Sequence, residues 1–155
     1  MSTELIWETE STSLENTLDI AEQIGQRFRG GEVIELISDL GGGKTAFVKG
    51  LAKGMGYKEI VRSPSFTIGN QYSSSELTLY HFDFYRLHEA GIMNEELAEI
   101  VSDPKAVIAV EWAELVSDVL PVEHLAITIT VTGDSSRRFK FTYSQKLNYL
   151  FPTNT

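Results

Sequence analysis

Apolar positions along this chain fall into two rhythms, a helical one and an alternating one, and their order outlines the fold. Leu14, Leu18, Ala21, Gly25 and Phe28 recur at steps of three and four residues, which predicts a helix with one apolar face. Thr12-Ser13-Leu14-Glu15 has the Ser/Thr-x-x-Glu form of a capping box at its start, and Gly30-Gly31 supplies its stop. Leu5-Ile6-Trp7 before it reads as a short edge strand. Val33 to Ile37 is β-branched and almost wholly apolar, as expected of a buried parallel strand. Phe47, Leu51, Ala52 and Met55 mark a second helical face that closes near Gly54 and Gly56. Ile68 to Tyr72 and Leu77 to Asp83 predict a hairpin turning at Ser73 to Glu76. Within it Tyr80, Phe82 and Phe84 alternate with His81 and Asp83, so one face is apolar and the other chemical. An acidic helix follows from Ile92 to Val101 and is stopped by Asp103-Pro104. Ala106 to Val110 is a second buried-strand segment and ends in Glu111-Trp112. Ala126 to Val131 and Phe139 to Tyr143 alternate around Gly133-Asp134-Ser135-Ser136, predicting a last hairpin, and Phe151 to Thr155 is expected to fray.

At 155 residues, 42% of them apolar, the chain is expected to be one domain over 1–155. A chain of this length buries roughly two-thirds of its unfolded surface. Charge narrows the partners: 22 acidic against 13 basic residues give a net charge of −9, so the field of the whole protein repels nucleic acid. No DNA role is expected, and any RNA role needs a basic partner. The absence of cysteine excludes disulfides, thiolate catalysis and thiolate metal sites. Met1-Ser2-Thr3-Glu4 does not have the look of a signal peptide, and no apolar run reaches membrane-spanning length, so a soluble, cytoplasmic protein without membrane contact is expected.

The chemistry centres on Ser38-Asp39-Leu40-Gly41-Gly42-Gly43-Lys44-Thr45, a glycine-rich turn between a predicted strand and a predicted helix. It matches the phosphate-binding pattern of Gly, four free positions and Gly-Lys-Ser/Thr, with Ser38 in place of the first glycine. Small residues let successive backbone N–H groups point at phosphate oxygens, and the following helix adds its N-terminal dipole. Lys44 then brings positive charge to the terminal phosphates, and the Thr45 hydroxyl ligates the magnesium that bridges them. The order strand, loop, Lys-Thr, helix is the one such a cradle requires.

A magnesium–triphosphate site also needs a carboxylate near the metal. Glu111 ends the clean apolar run, and ligands of open α/β sheets bind beyond the carboxyl ends of strands. Asp83 ends the other candidate strand, and both acids are placed in the site. His81 alone reads as a packed or capping histidine, since three scattered histidines form no zinc pattern. By residue type Trp112 is more often core than ligand platform, and Arg86 pairs with Asp83 or reaches a phosphate.

Taken together, Leu40 to Thr45, Ser63-Pro64-Ser65-Phe66-Thr67, His81-Phe82-Asp83-Phe84-Tyr85-Arg86 and Glu111-Trp112 resemble, in order and spacing, the TsaE (YjeE) family, over roughly Ser13 to Phe141. That family consists of small P-loop ATPases that act with TsaD and TsaB in making threonylcarbamoyladenosine next to the tRNA anticodon. The resemblance implies an α/β fold: a single P-loop NTPase-like domain with a mixed, mainly parallel sheet flanked by helices and carrying β-hairpins. It implies ATP or ADP and Mg2+ as cofactors, TsaD-like and TsaB-like partners, and tRNA reached through them. Asp39, Leu40, Gly41, Gly42, Gly43, Lys44, Thr45 and Ala46 would surround the phosphates. Lys44, Asp83 and Glu111 would be catalytic, with Thr45, Glu111 and Asp83 at the metal. Thr17, Trp112 and Arg138 would contact the nucleotide, Arg137 replacing Arg138 if the register slips by one residue. The Ser63 to Thr67 loop resembles a switch segment responding to the terminal phosphate. Ser38 and Ala46 depart from the family pattern, Ala46 offering no hydroxyl to the α-phosphate.

Two other functions use the same cradle. A small-molecule kinase needs an acceptor pocket and an arginine-bearing lid, and no arginine-rich segment is present. A non-hydrolysing nucleotide switch would bind nucleotide and partners without releasing phosphate.

Overall fold

A computed structural model describes residues 4–38, 43–62, 68–83, 91–111 and 119–152. Asp39 to Gly42, the Ser63 to Thr67 loop, Phe84 to Ala90 with Tyr85 and Arg86, and Trp112 to Asp118 lie outside the described residues. The elements run β1 (Glu4–Ser11), α1 (Leu14–Gly25), β2 (Val33–Ile37), α2 (Lys44–Met55), β3 (Glu59–Arg62), β4 (Ile68–Ser73), β5 (Thr78–Asp83), α3 (Gly91–Val101), β6 (Ala106–Glu111), β7 (Leu125–Val131), β8 (Arg137–Ser144) and a 3-10 helix (Gln145–Leu150).

The eight strands among the described residues form one sheet in the order β1-β8-β7-β2-β6-β5-β4-β3. The sheet is mixed, as expected, but parallel pairing is confined to its centre, where β2 lies between β7 and β6 and β6 pairs β5. The flanks are antiparallel: β1 with β8, β8 with β7, β5 with β4 and β4 with β3. The hairpins read from alternation are what turn the flanks over. At the centre, every residue of β6 is buried, which is why Ala106 to Val110 shows no polar alternation.

Each face of the sheet has its own core. Ile34, Leu36, Leu79, Val107 and Ala109 face α1 and α2 and pack with Ala21, Ile24, Phe47, Val48 and Leu51. Val33, Phe82, Ile108 and Val110 pack on the other side with Leu97 of α3 and with Leu120. Strand alternation therefore sends Phe82 to one core and His81 to the opposite face, the division expected from the sequence.

Close contact between α1 and α2 sets where the start of α2 can sit. A Cβ at Gly25 would overlap the Leu51 carbonyl, one at Gly54 the Glu22 carbonyl, and one at Gly50 would lie 2.6 Å from Ala21 Cβ and 2.9 Å from Leu18 O. Gly54, read as part of a helix stop, is thus also a contact point between helices, as is Gly25 of the apolar face. The cap of α1 falls one residue later than the sequence pattern suggested: Ser13 Oγ accepts from Asn16 N at 3.0 Å, while Asn16 Oδ1 accepts from Thr12 N at 3.1 Å. Asn16 provides the reciprocal bond that Glu15 was expected to make.

The chain end is anchored further than expected. Phe151 is 3% exposed, with its ring 4.2 Å from that of Tyr143 and 5.6 Å from that of Trp7, so Phe151 itself is packed, while residues 153–155 lie outside the described residues. Buried Glu32 accepts from Arg29 N, Gly30 N and Tyr149 Oη, tying the 3-10 helix to the α1–β2 turn. Burial, then the hydrogen bond to Glu32 and its charge, push the Tyr149 hydroxyl far above its ordinary range, against the opposing charge of Arg29. Among the described residues no helix is long and apolar enough to cross a membrane.

Gly50→Ala should lower stability by about 1–3 kcal/mol in urea unfolding, because the added methyl meets a packed helix and its gain in helix propensity is smaller than the overlap it creates. Lys49→Ala, one residue earlier on the exposed flank of α2, should change it by less than about 0.5 kcal/mol.

Candidate functional site

The parallel centre places the carboxyl ends of β2, β6 and β5 side by side. Leu36 and Asp83 are both in register with Glu111, so the chain leaving β2 and the two candidate acids meet on one edge of the sheet. From that edge the chain reaches Gly43, whose φ of 101° lies in the left-handed region that glycine tolerates, and α2 begins at Lys44. Among the described residues no side chain caps the start of α2, whose first N–H groups have no partner within the helix.

Lys44 and Glu111 are each 8% exposed at their side chains, and Lys44 Nζ lies 3.3 Å from Glu111 Oε1. The same ammonium donates to the Ser38 carbonyl at 3.4 Å. The other carboxylate oxygen, Oε2, is 2.6 Å from His81 Nε2. A carboxylate only accepts, so Nε2 carries the proton of that bond. Burial by itself would push the Glu111 carboxyl up, but the His81 hydrogen bond and the His81 and Lys44 charges outweigh it and hold the group below its ordinary value. Glu111 is therefore a carboxylate at neutral pH. Asp83 is exposed at the end of β5, and Thr45 is exposed in the first turn of α2.

A second concavity opens on the α1 side of the same helix start. Leu14, Thr17, Gly43, Ala46 and Arg137, with Asp134 and Ser135, line a cavity of about 150 Å³. Ser11 Oγ donates to the Ser13 carbonyl at 2.7 Å, so the 2.6 Å contact between Ser11 and Thr17 has Thr17 as donor, which fixes its hydroxyl. Arg137 donates to the Ser136 and Gly133 carbonyls of the β7–β8 turn. Arg138 points to the other face of β8 and pairs with exposed Glu10 at 3.0 Å. Of the two arginines, Arg137 borders the cavity and Arg138 does not.

Lys44, Glu111, Asp83, Thr45 and Gly43 are thus gathered at one strand edge, and Thr17 and Ala46 beside them. Asp39, Leu40, Gly41, Gly42 and Trp112 lie outside the described residues. Sequence reasoning missed His81 as a partner of Glu111, although its alternation with Phe82 on a strand next to Glu111 carried the signal. It also placed Leu14 on a buried face, whereas Leu14 is 64% exposed and borders the cavity.

The donor set fits a hard cation beside phosphates. It offers the carboxylates of Glu111 and Asp83 and the Thr45 hydroxyl, all oxygen donors, and Glu111 Oε1 already neighbours the Lys44 ammonium. Among the described residues no group of three or more His, Cys, Asp or Glu could hold a metal ion. A cation would depend on ligand oxygens as well as on these side chains.

Known proteins with the same sequence pattern have the same fold. The family model "Threonylcarbamoyl adenosine biosynthesis protein TsaE" matches residues 11–139. The tRNA threonylcarbamoyladenosine biosynthesis protein TsaE of Bacillus subtilis is 40% identical over 140 residues, covering 90% of this chain and 85% of that protein. The protein of the same name from Aquifex aeolicus is 41% identical over 113 residues, covering 72% and 80%. The crystal structure of Bacillus subtilis YdiB superposes with a TM-score of 0.71 at 36% identity, covering 94% of this chain and 89% of that one. With its loop-to-helix cradle, its strand-end acids and a family match over most of its length, this chain belongs to the TsaE family.

Proposed function

We propose that the protein is one P-loop ATPase domain serving tRNA threonylcarbamoyladenosine biosynthesis in the cytoplasm. On this reading it hydrolyses ATP with magnesium and works with TsaD-like and TsaB-like proteins, which hold the tRNA. Family membership carries the pathway. The observation that carries the nucleotide chemistry is the meeting of Lys44, Glu111 and the uncapped start of α2 at the carboxyl edge of the sheet.

On this reading Asp39 to Gly43 and the α2 N–H groups receive the phosphates, and Lys44 leaves Glu111 to neutralise their terminal oxygens. A magnesium ion bound with the nucleotide would supply charge neutralisation for the phosphates. Thr45, Glu111 and Asp83 would hold that ion, directly or through water, and the two acids would orient the attacking water. Thr17, Ala46 and Arg137 line the side on which the rest of the nucleotide lies. The net charge of −9 favours tRNA contact through partners.

Lys44→Ala should weaken ATP–magnesium binding about ten- to hundredfold in calorimetric titration, the worth of a charge-assisted contact of about 1.5–3 kcal/mol. Unchanged affinity would remove Lys44 from the site. Arg137→Ala should cost about tenfold in nucleotide affinity, while Arg138→Ala should stay within about twofold, since only Arg137 borders the cavity. In the presence of TsaD-like and TsaB-like proteins, ATP should yield free phosphate, and chelating magnesium should stop its release. Transfer of label from ATP to a metabolite would instead mark a kinase, and binding without release a switch.

A further inference from the structure

The two oxygens of Glu111 are held by unlike partners. Oε1 meets an ammonium at 3.3 Å, longer than a good charge-assisted bond of about 2.7–2.9 Å, and that ammonium is shared with the Ser38 carbonyl. It sits on a flexible four-carbon stem at the first residue of α2. Oε2 meets His81 Nε2 at 2.6 Å, and His81 is a short, stiff, buried side chain on β5, the strand paired with β6 beneath Glu111. Lys44 is therefore the partner that can exchange, and His81 the one that stays. A buried carboxylate stripped of its cation and left with no second partner would be costly and would turn away from the edge.

We propose that His81 is a positioning residue. Its Nε2–H pins Oε2 of Glu111, so that Oε1 passes from the Lys44 ammonium to the ligand's cation without the carboxylate swinging out of line. This rests on the reading of the site as one for ATP and magnesium. His81 touches neither phosphate nor cation and acts only through Glu111. A partner of this kind for a metal-side carboxylate is worth about 10–100-fold in metal affinity or turnover.

The test compares the full-length wild type with His81→Leu, His81→Asn and His81→Gln. The Gln amide places a donor where Nε2 stands, whereas the Asn amide is one methylene shorter and does not reach Oε2. Thermal unfolding first establishes that each variant is folded. ATP and ADP are then titrated with and without magnesium, and phosphate release is measured with the partner proteins. His81→Leu and His81→Asn should bind ADP without magnesium as the wild type does. They should lose about 10–100-fold of the magnesium-dependent gain in affinity, and kcat/KM for ATP–magnesium should fall by a similar factor. His81→Gln should recover most of both. If His81→Leu fails to fold, His81→Asn against His81→Gln carries the same comparison. Equal magnesium dependence in wild type and His81→Asn would overturn the proposal, and so would a His81→Gln as impaired as His81→Asn, since that marks a packing role. If the wild type itself shows no magnesium-dependent nucleotide binding, the ATP reading of the site falls and this role falls with it.

Discussion

Hydrogen bonding between parallel β2, β6 and β5 carries the site, because it brings the ends of three distant chain segments to one edge. Parallel strands share a direction, so whatever follows each of them emerges on the same side of the sheet. The start of α2, where Lys44 meets Glu111, and the acids ending β6 and β5 therefore lie at one edge. The antiparallel flanks widen the sheet and close the cores around it, and β7–β8 contributes Arg137 at its turn.

Burial gives this edge its chemistry. Glu111 and Lys44 lie at the rim of the core formed by α1, α2 and the sheet, where an unpaired charge is expensive. The chain satisfies the carboxylate with a lysine on one oxygen and a histidine on the other. Such a pair adds little net stability over an apolar replacement, but it keeps two charged groups ready at a place from which water is largely excluded. The helix that supplies Lys44 is in turn located by its contact with α1, where glycines admit backbone to backbone. Packing at one end of α2 thus determines where a charge lies at the other.

Most of the fold was legible because periodicity reports burial directly. Val33 to Ile37 and Ala106 to Val110 read as buried parallel strands for the reason that they are covered on both faces. The expectations that moved were those decided by neighbours distant in sequence. Phe151 looked like a tail residue until Trp7, Phe141 and Tyr143 closed on it. A mainly parallel sheet was expected, but edge strands that pair through short hairpins must run antiparallel. Arg137 and Arg138 are equivalent in composition and adjacent in sequence, and only the facing of β8 separates a cavity-lining residue from a surface ion pair.

The sequence by itself determined the order of elements, the cradle ending in Lys44 and Thr45, and the two acids that finish strands. Each of these is a local pattern, written in spacing and residue type. Tertiary structure alone decided that Glu111 is shared between Lys44 and His81, residues far from it in the chain, and that His81 is part of the site at all. The reason is that strand order and register are set by the summed packing of the whole sheet, which no stretch of the sequence contains.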